Sequence, residues 1–126
     1  MPAHESLEVA VVKLGLDVYN RHVFLCTGPT CCPDSLGLPA WEALKAELKA
    51  SGLGNACHRA KTVCLRVCCS GPVMVVYPEG TWYANMTADR IPRLVRDHLV
   101  GGVPIEEWIF ARNPLPRLPA PAGTIG

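Results

Sequence analysis

Apolar residues fall into short blocks divided by Gly and Pro, and the period of the pattern changes from block to block. Arg21 to Cys26 (RHVFLC) carries the continuous run Val23, Phe24, Leu25, the signature of a strand buried within a sheet. Cys26 to Leu38 is broken by Gly and Pro and predicts a loop. From Pro39 to Ser51 the period becomes helical, with Trp41, Leu44 and Leu48 on one face and Glu42, Lys45 and Lys49 on the wet side. Pro39 suits a first-turn position, and Gly52 followed by Leu53 reads as a helix stop.

His58 to Val63 predicts a second strand running into Cys64, and Val73 to Tyr77 (VMVVY) a central strand covered on both faces. Pro78, Glu79 and Gly80 make a tight connection to a hairpin partner, Thr81 to Ala84. Ile91, Leu94, Val95 and Leu99 trace a helical stripe over Thr87 to Leu99, with Asp89 as cap, Pro92 in the first turn and Gly101–Gly102 as stop. Residues 1–19 are too irregular for helix or strand and form an N-terminal arm, whereas 20–110 form the domain and 111–126 a Pro-rich tail. The order strand, helix, strand, strand, strand, helix predicts an α/β sandwich with a small mixed β-sheet and two main helices.

Composition narrows the function. At 126 residues the chain is one domain's worth, and 49% hydrophobic against 18% charged residues is enough to fold it. A net charge of +1 gives no electrostatic reason for nucleic acid or an anionic membrane as partner. The uncharged run Val67 to Pro78 is too short to span a bilayer. His4, Glu5 and Glu8 stand where a secretory signal carries basic residues, so a cytoplasmic protein is expected. There is no Gly-rich phosphate loop and no nucleophile with a partnered base, which disfavours a hydrolase or nucleotide enzyme.

Cysteine changes the picture. Seven cysteines cannot all pair within one chain, and where thiols are kept reduced such clusters are more often metal ligands or catalytic groups than staples. Cys26 with Cys31 or Cys32, and Cys64 with Cys68, lie on two loops that each follow a predicted strand. Four thiolates gathered from these loops would suit zinc or an iron–sulfide cluster, since soft sulfur matches both. Cys64 and Cys68 have three residues between them, where zinc knuckles and thioredoxin dithiols usually have two. The wider spacing suits a binuclear centre.

The segments HVFLCTG (from His22), LKxxGL (from Leu48), CLRVCxxGPVMVVYPEGTWY (from Cys64) and HLVGGVPIEEW (from His98) resemble the thioredoxin-like 2Fe-2S ferredoxins. The resemblance spans Arg21 to Trp108 and is most specific from Cys64 to Tyr83. It implies a thioredoxin-like fold, one 2Fe-2S cluster bound by four cysteines, one-electron transfer between redox partner proteins with no enzymatic step, and a homodimer. Residue by residue it places ligands at Cys26, which opens CTG, and at Cys64 and Cys68, which precede Gly71-Pro72-Val73 at the family's distance. The second ligand is Cys31 or Cys32. Leu44, an apolar helix residue twelve after Cys32, favours Cys32, whereas four residues between the first two ligands, as in the ferredoxin-like subunit of respiratory NADH dehydrogenase, would favour Cys31.

Cys31, Cys57 and Cys69 exceed the family pattern; small packing residues are the plain reading, and a spare thiol able to replace a lost ligand the sharper one. Arg66, between two ligands, either steers an acidic partner or is a solvated loop residue. Trp82 and Tyr83 either flank a docking or dimer surface or pack in a strand, the commoner role. His58 would need a second histidine to serve a Rieske-type centre, and none stands near the cysteine motifs in a comparable arrangement; His22 and His98 read as ordinary strand and helix residues. Two rival classes use the same thiols: a zinc-stabilised interaction module and a thiol-disulfide redox protein.

Overall fold

The computed structural model describes residues 6–114. Strand β1 (Arg21–Cys26) is an inner strand of a five-stranded mixed sheet, parallel to β2 (Cys57–Thr62) on one side and antiparallel to β3 (Met74–Tyr77), the central strand, on the other. β4 (Thr81–Tyr83) and β5 (Ile109–Arg112) continue it antiparallel, in the order β2-β1-β3-β4-β5. Alternation sorts the strands' side chains by face. Val23, Leu25, Met74, Val76 and Tyr83 join Leu44 and Leu48 of helix α2 (Asp34–Ser51), and Ile91 and Leu94 of helix α3 (Ile91–Leu94), in the main core. His22, Phe24, Tyr77 and Trp82 occupy the opposite face, half-buried.

The expected strands are all present to within a residue or so, and β5 is additional. Only Ile109 of β5 is half-buried, so it has no apolar alternation to announce it, and it carries ordered strand two residues beyond position 110. The rest of the Pro-rich tail lies outside the described residues from 115 onward. The leader, read as neither helix nor strand, holds helix α1 (Leu7–Leu14). Its caps make it: the Ser6 side chain accepts from Val9 N–H at 3.2 Å, and Gly15 turns left-handed, its N–H bonding the carbonyls of Val11 and Val12. Asn55 donates to Lys13 O at 2.7 Å and His58 Nε2–H to Leu14 O at 2.6 Å, tying α1 to the edge of the sheet.

Helix α2 starts at Asp34, earlier than its proline suggests, and Pro39 lies inside it. One helical hydrogen bond is lost there, but Gly37 lets the extra first turn press on Thr27, where any Cβ would collide with the Thr27 carbonyl. The second helix is also displaced. Asp89 accepts from Thr87 instead of capping, Ile91 opens the helix, and from Val95 to Val100 it widens into a π turn, with Gly101 N–H reaching Arg96 O at 3.1 Å. Among the described residues no helix is long and apolar enough to cross a membrane.

A polar network sits inside this core. Ile105 N–H donates to the Tyr83 hydroxyl at 3.2 Å, which directs the hydroxyl proton to His98 Nδ1 at 2.8 Å. His98, fully buried, then holds its proton on Nε2, 3.4 Å from Glu79 Oε2, an electrostatic contact without good hydrogen-bond alignment. Arg21 Nε donates to the same oxygen at 2.8 Å, linking the start of β1 to the turn after β3. Burial lowers the His98 pKa from its ordinary 6.5, against the attraction of Glu79. The unfolded chain therefore takes up a proton that the folded His98 refuses, so this contribution is full above about pH 6.5 and is lost as pH falls below it. Urea titrations followed by circular dichroism should show stability falling from pH 6.5 to 5, with a shallower fall in His98→Gln. His22, also lowered by burial and by His58, keeps part of the slope.

Candidate metal centre

Strand β1 delivers Cys26 to its C-terminal end, where the chain turns into the loop carrying Cys31 and Cys32. Strand β2 ends beside it at Thr62 and opens the loop carrying Cys64, Cys68 and Cys69. The two loops are joined through their backbones. Cys26 N–H donates to Val73 O at 2.8 Å, Thr27 N–H to Thr62 O at 2.9 Å and Gly71 N–H to Cys31 O at 3.0 Å. A second small core gathers here, in which Leu65 and Val67 of the second loop and Trp82 of β4 pack on Cys26, Cys31, Cys32 and Val73.

Cys26, Cys31 and Cys32 are brought together and buried, at 1%, 6% and 6% exposure. Cys31 Sγ stands between its neighbours, 3.7 Å from Cys26 O and 3.8 Å from Cys32 Sγ, while Cys26 Sγ faces Val63 O at 3.5 Å. Burial, followed by hydrogen bonding to the Cys26 and Cys32 side chains, pushes the Cys31 thiol up to about 12; burial also raises Cys32. Gly28 shapes this loop: its φ of +94° is left-handed, and a Cβ there would meet the Cys32 carbonyl.

Cys64 and Cys68 are held on the adjoining loop with their side chains exposed. Arg66 between them takes a positive φ of 73°, and its N–H donates to Cys64 Sγ at 3.1 Å. An amide aimed at sulfur stabilises a thiolate. Among the described residues no three His, Cys, Asp or Glu side chains converge tightly enough to hold a metal ion. What fits a metal centre is the donor chemistry: soft thiols on two loops locked side by side, one group buried and one at the surface.

The remaining cysteines and histidines fall elsewhere. Cys57 is buried at the start of β2 in the main core, its thiol pushed up to about 11 by burial, and Cys69 is exposed beside Cys68. His22 and His58 face each other across β1 and β2 with ring centroids 6.2 Å apart, on the sheet face away from the helices, and His98 lies in the core. Tyr83 is packing, fully buried; Trp82 is half-buried, with the exposed Phe110 ring 6.4 Å away. Sequence reasoning missed that Cys31 touches both neighbouring cysteines, although adjacent cysteines in a Gly/Pro loop were the signal available.

No protein-family model matches the sequence. The chain is 32% identical over 102 residues to a putative 2Fe-2S ferredoxin of Priestia megaterium, a match covering 81% of this chain and 79% of that protein. It is 33% identical over 90 residues to a 2Fe-2S ferredoxin of Clostridium pasteurianum, covering 66% of this chain and 88% of that one. A solved structure of a thioredoxin-like 2Fe-2S ferredoxin from Aquifex aeolicus superimposes with a TM-score of 0.68 at 26% identity, covering 86% of this chain and all of that one.

Two outcomes follow from the geometry. Gly28→Ala should lower stability by about 2 kcal/mol or more in chemical denaturation, because left-handed strain and a backbone clash add. In metal-free protein, iodoacetamide followed by mass spectrometry should label Cys64, Cys68 and Cys69 well before Cys26, Cys31 and Cys32.

Proposed function

Since the chain belongs to the thioredoxin-like 2Fe-2S ferredoxins and is an electron-transfer protein, not an enzyme, we propose that Cys26, Cys32, Cys64 and Cys68 hold a single 2Fe-2S cluster. The observation that carries this reading is the backbone lock between the two cysteine loops, which keeps Cys26 and Cys32 beside the loop of Cys64 and Cys68. When bound, the cluster supplies a single-electron couple between an all-ferric state and one with one ferrous iron.

The chain's own residues set the conditions for that couple. Cys26 and Cys32 come from the buried side, where Val73, Leu65, Val67 and Trp82 exclude water and lower the local dielectric. Cys64 and Cys68 come from the exposed side, which opens a short route for electrons to a partner. The Arg66 N–H on Cys64 sulfur favours negative charge there and raises the potential. Cys31, in contact with both Cys26 and Cys32, is the alternative second ligand.

The redox partners meet this exposed side in small, transient encounters, typically below about 1,200 Å². A homodimer belongs to the same proposal. Its support is the sheet face turned away from the helices, which carries Phe24, Tyr77 and Trp82 with Phe110 alongside. A cytoplasmic setting, where thiols stay reduced, suits seven unpaired cysteines.

Anaerobic purification should give a coloured protein with about two irons and two acid-labile sulfides per chain. Zinc without sulfide, or reversible thiol oxidation without iron, would return the rival classes. Cys64→Ser and Cys68→Ser should each lose or distort the cluster's visible spectrum. Cys32→Ser should do so as well while Cys31→Ser leaves it intact, and the reverse result would move the second ligand to Cys31. Light scattering after gel filtration should report twice the mass of the 13.6 kDa chain.

A further inference from the structure

Positive charge is unevenly distributed over this molecule. Arg59 and Lys61 are alternate, exposed residues of the edge strand β2, in register with Val23 and Leu25, so their side chains leave the sheet on the helix side. There they lie over Trp41 of α2, the Arg59 guanidinium 5.6 Å and the Lys61 ammonium 6.0 Å from its ring centroid. Lys45 and Lys49 follow Trp41 at four-residue steps and so share its stripe on the helix. Together with Arg59 they line an open groove of about 600 Å³ between α2 and β2.

Little acid opposes these cations. Among the described residues lining the groove Glu42 is the one carboxylate, and Lys45 holds it at 3.0 Å. Among the described residues Lys49, Arg59 and Lys61 have no carboxylate within salt-bridge reach, whereas Arg21, Arg96 and Arg112 each have one and Arg93 has two. Four cations thus face one carboxylate in a chain whose net charge is only +1, which leaves the remainder of the molecule net negative. The groove also has a direction. β2 runs from it to Thr62, whose carbonyl bonds Thr27, and on through exposed Val63 and Cys64 to exposed Arg66.

We propose that this groove is the docking site for an acidic surface of the protein that exchanges electrons with this one; the assignment rests on the cluster reading above. The charges are spread along an open strip, as suits carboxylates on a protein surface, and do not converge as they would on one small anion. Trp41 pre-positions Arg59 and Lys61, so less side-chain freedom is lost on contact. Because β2 runs from the groove past Lys61 toward the loop of Cys64, a partner extending along the strip approaches the site of electron exit.

One arm titrates the full-length protein as purified with a fluorescein-labelled decaglutamate peptide, a mimic of the acidic surface, with anisotropy read at low ionic strength. A parallel arm follows oxidation of the reduced protein by anionic iron(III)-EDTA and by cationic hexaamminecobalt(III). Arg59→Glu/Lys61→Glu should weaken peptide binding about tenfold or more and slow the anionic oxidant while sparing the cationic one, with both effects collapsing at high salt. Lys45→Gln/Lys49→Gln, which only neutralises, should give a smaller loss, and Arg96→Glu/Arg112→Glu none. Equal binding by wild type and Arg59→Glu/Lys61→Glu, or an equal loss in Arg96→Glu/Arg112→Glu, overturns the docking site. Absence of iron and sulfide in the preparation would defeat the cluster reading alone, because the peptide arm is read without it.

Discussion

The two cysteine loops stay together because β1 ends between β2 and the segment leading into β3. Its last residue, Cys26, is bonded through the backbone to Val73 on one side, and the following residue, Thr27, to Thr62 on the other. Gly71 adds a third bond back to Cys31. None of these uses a side chain, so the thiols remain free for a ligand while the chain supporting them is fixed by the sheet. The thiols differ in surroundings for the same reason: the loop after β1 folds under Val73 and Trp82, and the loop after β2 leaves an edge strand and stays at the surface.

Much of this was legible in the sequence where a residue's role depends on its near neighbours. β1 and β3 announced themselves as unbroken apolar runs because their helix side is fully buried while Val75 and half-buried Phe24 pack against each other's strand on the opposite face. That Cys26, Cys31 and Cys32 share one loop, and Cys64 and Cys68 another, each following a strand, was readable from strand ends followed by turn residues. α1 was not readable, since Val9, Val11 and Val12 blur the helical period and the evidence for it lies in Ser6 and Gly15. The early start of α2 was hidden by Pro39, whose local preference is overridden by the contact between Gly37 and Thr27.

Other features depend on elements distant along the chain. The cationic groove joins Lys45 and Lys49 of a helix to Arg59 and Lys61 of the following strand, and only the packing of α2 against β2 brings them together. The composition alone points the other way, since near-equal counts of acids and bases suggest a surface with no preferred partner. Burial likewise turned His98, an ordinary helix residue in the sequence, into the middle of a chain from Ile105 through Tyr83 to Glu79 and Arg21. The network joins α3, β1 and β4 inside the core, a link that no local spacing encodes.

Among the described residues strand β2 is also the outermost strand on its side of the sheet, and the outward amides and carbonyls of an edge strand invite a neighbouring molecule to add a strand. Arg59 and Lys61 stand at alternate positions along that margin, and two identical chains meeting there would bring like charges together. The same side chains therefore guard against fibrous self-association, keeping crowded copies apart without closing the border to a differently charged visitor.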